Sequence, residues 1–262
     1  QADFSTLPVG DFPVTEIQEF EREVALPGKE LSDLIEKTSF AMASQDVRYY
    51  LNGILLEVSP SQINVVATDG HRLAWSSCKI KTDFTDEKII IPRKSALELQ
   101  KLLNLYPENV NVAFNSNQLK VFSDEYTFIS KLIEGSYPDY EKVFPKGTEQ
   151  KLKANKSLVQ TALNRAAVLS NEKYRGVKFI LEKDNLKICA NNPSKESAEE
   201  EVLVEYSGDS FEIGFNISYV QESLSVISNN EVEFVFFGSE NSCLVKNIDD
   251  ESLIHVIMPM RL

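Results

Sequence analysis

Apolar positions along the chain recur with two periods, and the switching between them predicts the elements. Val24-Ala25-Leu26-Pro27 reads as a short strand, and Leu31, Leu34, Ile35 and Phe40 then recur at helical spacing within Lys29 to Ala43. Strand patterns follow in Tyr50 to Val58, Ile63 to Thr68, Arg72 to Lys79 and Lys88 to Ile91, with Ser59-Pro60-Ser61 as a turn after the first. Pro92 opens a second helix whose apolar positions are Ala96, Leu97, Leu99, Leu102 and Leu103, and Pro107 follows its end. Three further strands are predicted over Asn109 to Phe114, Gln118 to Phe122 and Tyr126 to Ile133.

The same order then begins again. A strand near Lys151 precedes a helix over Lys156 to Leu169, and strands follow over Gly176 to Glu182, Asn185 to Asn191, Ala198 to Tyr206 and Phe211 to Phe215. A helix over Ile217 to Ile227 leads to strands over Glu231 to Phe237, Ser242 to Lys246 and Ser252 to Met258. Ala43-Ser44 aligns with Leu169-Ser170, Ile91 to Leu103 with Gly214 to Val226, and Val110 to Phe114 with Val232 to Phe236, at offsets of 126, 123 and 122 residues. A period this long means two copies of one domain, not a solenoid. The joint falls near Pro145 to Gln150, so the domains are read as 22–149 and 150–262. Residues 1–21 hold five acids, no Lys or Arg and no sustained period, and read as an incoming strand plus a connector.

Composition narrows the class. The 262 residues are 42% hydrophobic and 26% charged, as in an ordinary globular protein, and no apolar run approaches the ~20 residues that cross a bilayer. Cys78, Cys189 and Cys243 are odd in number and far apart, which argues against a disulfide framework or a cysteine zinc site and suits a reducing cytoplasm. No metal or cofactor site is expected.

Charge complicates the reading. Lys and Arg number 27 against 40 Asp and Glu, a net of −13 that by itself disfavours a polyanionic partner. Yet Arg93 to Leu105 carries Arg93, Lys94 and Lys101 against Glu98, and Lys151 to Ser170 carries Lys151, Lys153, Lys156 and Arg165 with no acid. Such helices are either solvated faces or a surface turned towards a polyanion, held through backbone charge alone. Tyr49 and Tyr50, beside Gln45 and Arg48, could stack on an unpaired strand, although two aromatics at the head of a strand are more often packing. Glu196, Glu199, Glu200 and Glu201 read as a charged strand edge or as half of a charge-complementary interface.

Catalytic chemistry finds no footing. The two histidines, His71 and His255, belong to no metal-binding pair or nucleophile motif, and Asp69-Gly70-His71-Arg72 is first of all a tight turn. No phosphate-cradling glycine loop occurs. The final Val256-Ile257-Met258-Pro259-Met260-Arg261-Leu262 is unusually apolar and Met-rich, which suits either core burial or an adaptable binding groove. A binding scaffold of two α+β repeats accounts for the repeat and the apolar tail but not for the basic helices.

Four segments carry a resemblance: Gln45-Asp46-Val47-Arg48-Tyr49-Tyr50-Leu51-Asn52-Gly53, Ala67-Thr68-Asp69-Gly70-His71-Arg72-Leu73-Ala74, Leu169-Ser170-Asn171-Glu172-Lys173-Tyr174-Arg175-Gly176-Val177 and Met258-Pro259-Met260-Arg261-Leu262. Through them the chain resembles the beta subunit of bacterial DNA polymerase III, the sliding clamp. The resemblance implies an α+β fold of duplicated DNA-clamp domains, each with two helices packed on antiparallel sheets. It implies a non-catalytic processivity subunit of a DNA-directed DNA polymerase, a head-to-tail homodimeric ring around duplex DNA, helices lining the hole and no cofactor. The family has three domains per subunit, so residues 1–21 look like the end of a first domain, and the chain like a fragment unable to close the ring and mainly monomeric.

Site residues follow by the same resemblance. A partner-peptide subsite matches Thr68, Gly70, His71, Arg72, Leu73, Pro138, Lys142, Val143, Val256, Met258, Pro259, Met260, Arg261 and Leu262, and a shallower one matches Arg48, Tyr50, Leu51, Asn216, Tyr219 and Ser242. Lys142 stands where relatives commonly have arginine, keeping the charge without the planar fork. The pocket is expected to take motifs with a glutamine, a leucine and a Leu-Phe pair, carried by the DNA polymerase III alpha and clamp-loader delta subunits and by other polymerases and repair proteins. DNA contacts match Gln45, Tyr49, Tyr50, Arg93 and Lys94, and the ring interface matches Val168 and Leu169 with Glu196, Glu199, Glu200 and Glu201. No membrane partner is implied.

Overall fold

Both periods of the sequence become backbone in a computed structural model, which describes residues 2–12, 19–20, 23–82, 85–248 and 250–262. The first copy runs β1 (Glu23–Pro27), α1 (Gly28–Ser39), β2 (Gly53–Val58), β3 (Gln62–Thr68), β4 (Arg72–Lys79), β5 (Glu87–Pro92), α2 (Arg93–Leu105), β6 (Asn109–Phe114), β7 (Gln118–Phe122) and β8 (Thr127–Lys131). The second repeats it as β9 (Gln150–Asn155), α3 (Lys156–Val168), β10 (Gly176–Glu182), β11 (Asn185–Asn191), β12 (Ser197–Leu203), β13 (Glu205–Tyr206), β14 (Phe211–Asn216), α4 (Ile217–Ser225), β15 (Glu231–Phe236), β16 (Cys243–Asn247) and β17 (Leu253–Ile257).

Three antiparallel sheets result, in the orders β1-β6-β7-β8, β12-β11-β10-β14 and β13-β9-β15-β16-β17-β4-β3-β2-β5. The nine-stranded sheet joins five strands of the second copy to four of the first, fused where β17 pairs with β4. Its register sets Val256 opposite Leu73 and His255 opposite Ala74. In each copy the helices fill the space between that copy's two sheets. Leu31, Leu34, Ile35, Leu99 and Leu103 close the first core, and Val159, Leu163, Phe179, Phe215 and Phe234 the second. A third apolar cluster lies over the fused sheet: Leu55, Val66, Leu73, Ile90, Tyr140 and Val256, with Tyr50, Trp75, Tyr137, Val143 and Leu244 against it. Each aliphatic side chain fully buried this way contributes about 1.5–3 kcal/mol.

Local chemistry moves several predicted boundaries. Helix α1 stops at Ser39, four residues early, because Thr38 turns its hydroxyl onto the Leu34 carbonyl at 2.8 Å and the last turn tightens. Tyr49–Leu51 forms a 3-10 turn rather than the start of a strand. The strand expected over Ala198 to Tyr206 breaks at Val204 into β12 and β13, which pair with different sheets. Lys151 and Lys153 lie on β9, so the basic helix α3 carries only Lys156 and Arg165. Helices α1 and α4 hold more acids than bases.

The strand expected within residues 1–21 is not found among the described residues there, which show only a 3-10 turn, Val9–Asp11. Phe4, Leu7, Val9 and Phe12 are exposed, and among the described residues none of them joins a sheet. The rest of that expected strand and connector lies outside the described residues.

Candidate functional site

The turn between β3 and β4 is built to be rigid. Gly70 takes φ +90°, a region that suits glycine, while the Asp69 carboxylate accepts the backbone N–H of His71 at 2.9 Å and of Arg72 at 3.1 Å. Thr68 donates its hydroxyl to the Arg72 carbonyl at 2.6 Å and accepts from the Gly70 N–H at 3.1 Å. The turn then holds the end of the chain, because the His71 carbonyl accepts the Met258 N–H at 3.0 Å.

Arg48 closes one side. It grips Asp46 bidentately at 3.0 and 2.9 Å and reaches the Asp69 carbonyl at 3.2 Å. Hydrogen bonding from Arg48 holds the Asp46 carboxyl down at about 2. The floor is the third apolar cluster, where the Tyr137 hydroxyl accepts the Thr68 N–H at 3.1 Å and the Tyr140 hydroxyl donates to Glu57 at 2.5 Å. Burial raises both phenols well above their usual range, so they stay neutral.

On the far side the chain end runs along β14. The Met260 N–H donates to the Gly214 carbonyl at 2.9 Å. Leu262 lies over Gly176 and Gly214, where a Cβ on Gly214 would come within 2.5 Å of the Met260 carbonyl and one on Gly176 would run into the leucine itself. The missing side chains make a notch that fits this tail. Cavities of about 610 and 470 Å³ flank it, the larger lined by Tyr174, Ile180, Cys189 and Leu262.

The structure brings together Thr68, Gly70, His71, Arg72, Leu73, Arg48, Tyr50, Val143, Val256 and Met258 around the β4–β17 seam. Tyr219 joins through Arg72, whose guanidinium carbon sits 4.4 Å from its ring centre. Met260 and Leu262 dock on the second copy's sheet, Pro259 bridges to them and Arg261 is exposed. Asn216 caps α4 by accepting the Ser218 N–H at 2.9 Å, Leu51 is a buried turn residue, and Ser242 stands at the head of β16. Pro138 lies on an exposed loop and Lys142 on the 3-10 turn Tyr140–Val143 that follows, exposed and paired with Asp139 at 2.8 Å.

Sequence reasoning passed over Trp75, Tyr137, Tyr140 and Glu222 at this seam. The only hint of Glu222 was its place three residues after Tyr219 on one helix face.

The other predicted residues fall elsewhere. Tyr49 is exposed and meets Tyr50 edge-on at 5.7 Å, whereas Tyr50 packs on the seam cluster. Arg93 spends a guanidinium nitrogen on the Met42 carbonyl at 3.0 Å, Lys94 is exposed beside it on α2, and Gln45 is exposed with φ +59°. Val168 is exposed and Leu169 half-buried at the end of α3. Glu199 and Glu201 face Lys187 on one side of edge strand β12, Glu200 meets Arg165 on the other, and Glu196 accepts from Asn192 in the preceding turn. Among the described residues no cluster of His, Cys, Asp and Glu could hold a metal ion, and no helix is long and apolar enough to cross a membrane.

Two copies of one α+β unit, fused edge to edge through a continuous sheet, define a protein of duplicated clamp domains. Comparison makes the class specific. Residues 25–139 match the model of the DNA polymerase III beta subunit central domain, and residues 141–261 match that of its C-terminal domain. The chain therefore belongs to the DNA polymerase III beta subunit family, the beta sliding clamps of DNA replication. It is 45% identical over 259 residues to the beta sliding clamp of Pseudomonas aeruginosa, covering 98% of this chain and 71% of that one. It is 43% identical over 258 residues to the Escherichia coli K12 beta sliding clamp, covering 98% and 70%. A crystal structure of the Pseudomonas aeruginosa DNA polymerase III subunit beta superposes with a TM-score of 0.96 at 45% identity, covering 98% of this chain and 71% of that one. A sliding clamp from that organism bound to griselimycin superposes with a TM-score of 0.92 at 44% identity, covering 98% and 70%.

Proposed function

We propose that the seam between the copies is a docking groove for short linear motifs, through which the clamp tethers a replicative polymerase and other replication and repair proteins to duplex DNA. The observation that carries this is the third apolar cluster. It lies outside both cores, on the sheet face at the β4–β17 junction, and is rimmed by Arg48, the Asp69–His71 turn and the Met258 tail. An apolar floor with a few polar groups at its edge suits a peptide ending in Leu-Phe, with its glutamine at the polar rim towards Asn216 and Tyr219. Within this reading the protein raises processivity without chemistry of its own, as a non-catalytic subunit of the polymerase holoenzyme. The copies act as domains divided at 149–150.

Duplex DNA would pass the helical side, meeting Lys94, Arg93, Gln45 and the exposed Tyr49 through backbone charge only, so binding would be weak and sharply salt-dependent. The acidic edge strand β12, with Val168 and Leu169, would serve as a subunit contact. Calorimetric titration of the full chain with the peptide Gln-Leu-Asp-Leu-Phe tests the groove. One-to-one binding supports the reading, and no heat at millimolar peptide overturns it.

A further inference from the structure

Arg72 opens β4, and its guanidinium is almost wholly enclosed, with a side-chain exposure of 10%. Each of its three nitrogens has a partner on a different segment. Nε donates to Asp69 in the turn at 3.0 Å, Nη2 donates to the Phe40 carbonyl at the end of α1 at 2.7 Å, and Nη1 donates to Glu222 on α4. The rings of Tyr219, at 4.4 Å, and Phe40, at 5.2 Å, add cation–π contacts. Tyr219 and Glu222 are three residues apart on one face of α4, so the second copy holds the guanidinium by ring and by carboxylate together.

A group so committed is poorly placed to reach for a ligand. Leaving Asp69 would strand a carboxylate that is itself mostly buried, with a side-chain exposure of 17%. It would also loosen the turn whose carbonyls hold Arg48 and Met258.

We propose that Glu222, Arg72 and Asp69 form a latch across the seam that sets the spacing of the groove walls, with Arg72 a positioning residue and Glu222 its anchor on the second copy. This rests on the reading of the seam as a peptide groove. One wall, the Asp69–His71 turn with Arg48, belongs to the first copy; the other, Tyr219 with the Met258 tail, belongs to the second. The β4–β17 ladder keeps the copies joined, but an antiparallel strand pair tolerates a range of twist. The latch removes that freedom from outside the ladder. A ligand that spans both walls depends on it, and one that rests only on the apolar floor does not.

The experiment compares the full chain with Glu222→Ala and Glu222→Gln, each titrated with Gln-Leu-Asp-Leu-Phe and with the acetylated Leu-Phe amide. Glu222→Ala is expected to weaken the pentapeptide about tenfold and leave the dipeptide unchanged. Glu222→Gln keeps an oxygen acceptor in the same reach and is expected to recover affinity to within about threefold of the parent. Equal losses for both ligands, or an undiminished pentapeptide affinity in Glu222→Ala, would overturn the latch.

Amide hydrogen exchange without peptide reads the latch on its own. Exchange over Arg72–Ser76 and Leu253–Ile257 is expected to quicken several-fold in Glu222→Ala, and unchanged exchange overturns the latch whatever the peptides do. If the parent binds no pentapeptide while Glu222→Ala still quickens exchange, the latch across the seam stands and the groove reading fails.

Discussion

Strands β4 and β12 hold equivalent places in the two copies, each the last strand in an order of four, yet they look nothing alike. The free side of β4 is covered by β17, and its residues include Leu73, Ala74 and Ser76, all buried. Among the described residues no strand covers the free side of β12, which carries Glu199, Glu200 and Glu201 in succession. Duplication supplied the same scaffold twice, and the side chains record which edge has a neighbour within the chain. Charge on the open edge discourages indiscriminate pairing, while the covered edge spends its residues on the apolar cluster behind the groove.

That difference should be largest in stability. Val256→Asp places a carboxylate opposite Leu73 in a position with no exposure, and a loss of about 4 kcal/mol or more is expected in urea denaturation. Glu201→Val on the open edge should change stability by no more than about 0.5 kcal/mol while promoting self-association in sedimentation. Comparable losses for the two would break the contrast.

His255 gives the seam a pH dependence of its own. It is fully buried on β17, its Nε2 lies 3.2 Å from the Lys37 carbonyl, and Phe40 meets it edge-on at 5.1 Å. Burial pushes it down to about 4, with Arg72 and Lys37 adding to the effect. The folded state thus binds fewer protons than the unfolded one between pH 6.5 and 4. Stability from this group is intact above 6.5 and falls as pH drops through that window, by up to about 1.4 kcal/mol per unit. Denaturation of the parent and of His255→Gln from pH 7 to 4.5 should show the gap between them changing along that slope, and a constant gap would count against it.

These features differ in how far the sequence disclosed them. Strands such as β3, β4, β10 and β11 were legible because alternation is a local signal that needs no partner. The pairing of β17 with β4 was not, because nothing in either segment names a strand some 180 residues away. The residues alone left the Met-rich tail open between core and groove, and only resemblance to a family singled out Thr68, Tyr219 and the rest. Glu222 escaped both routes, since an acid on a helix face looks solvated until Arg72 is found beside it. The basic character read into Lys151 to Ser170 was diluted for a similar reason, two of its lysines standing on β9.

Smaller effects probe the tail. Deleting Met258 to Leu262 should weaken pentapeptide binding more than tenfold, about 1.4 kcal/mol, with thermal melting unchanged as the control for an intact β17. Gly214→Ala, which sets a methyl against the Met260 carbonyl, should unseat the tail from β14 and weaken binding about threefold without measurable loss of stability. A tail variant that binds as tightly as the parent would remove the tail from the groove.

The most direct measurement is residue-resolved amide protection of the full chain with and without bound Gln-Leu-Asp-Leu-Phe. Protection is expected to rise at Thr68 to Leu73 and at Val256 to Met260, on both sides of the β4–β17 seam, and to stay flat along β12. Protection confined to β12 or to the helices, or none at the seam while the peptide binds, would contradict the account.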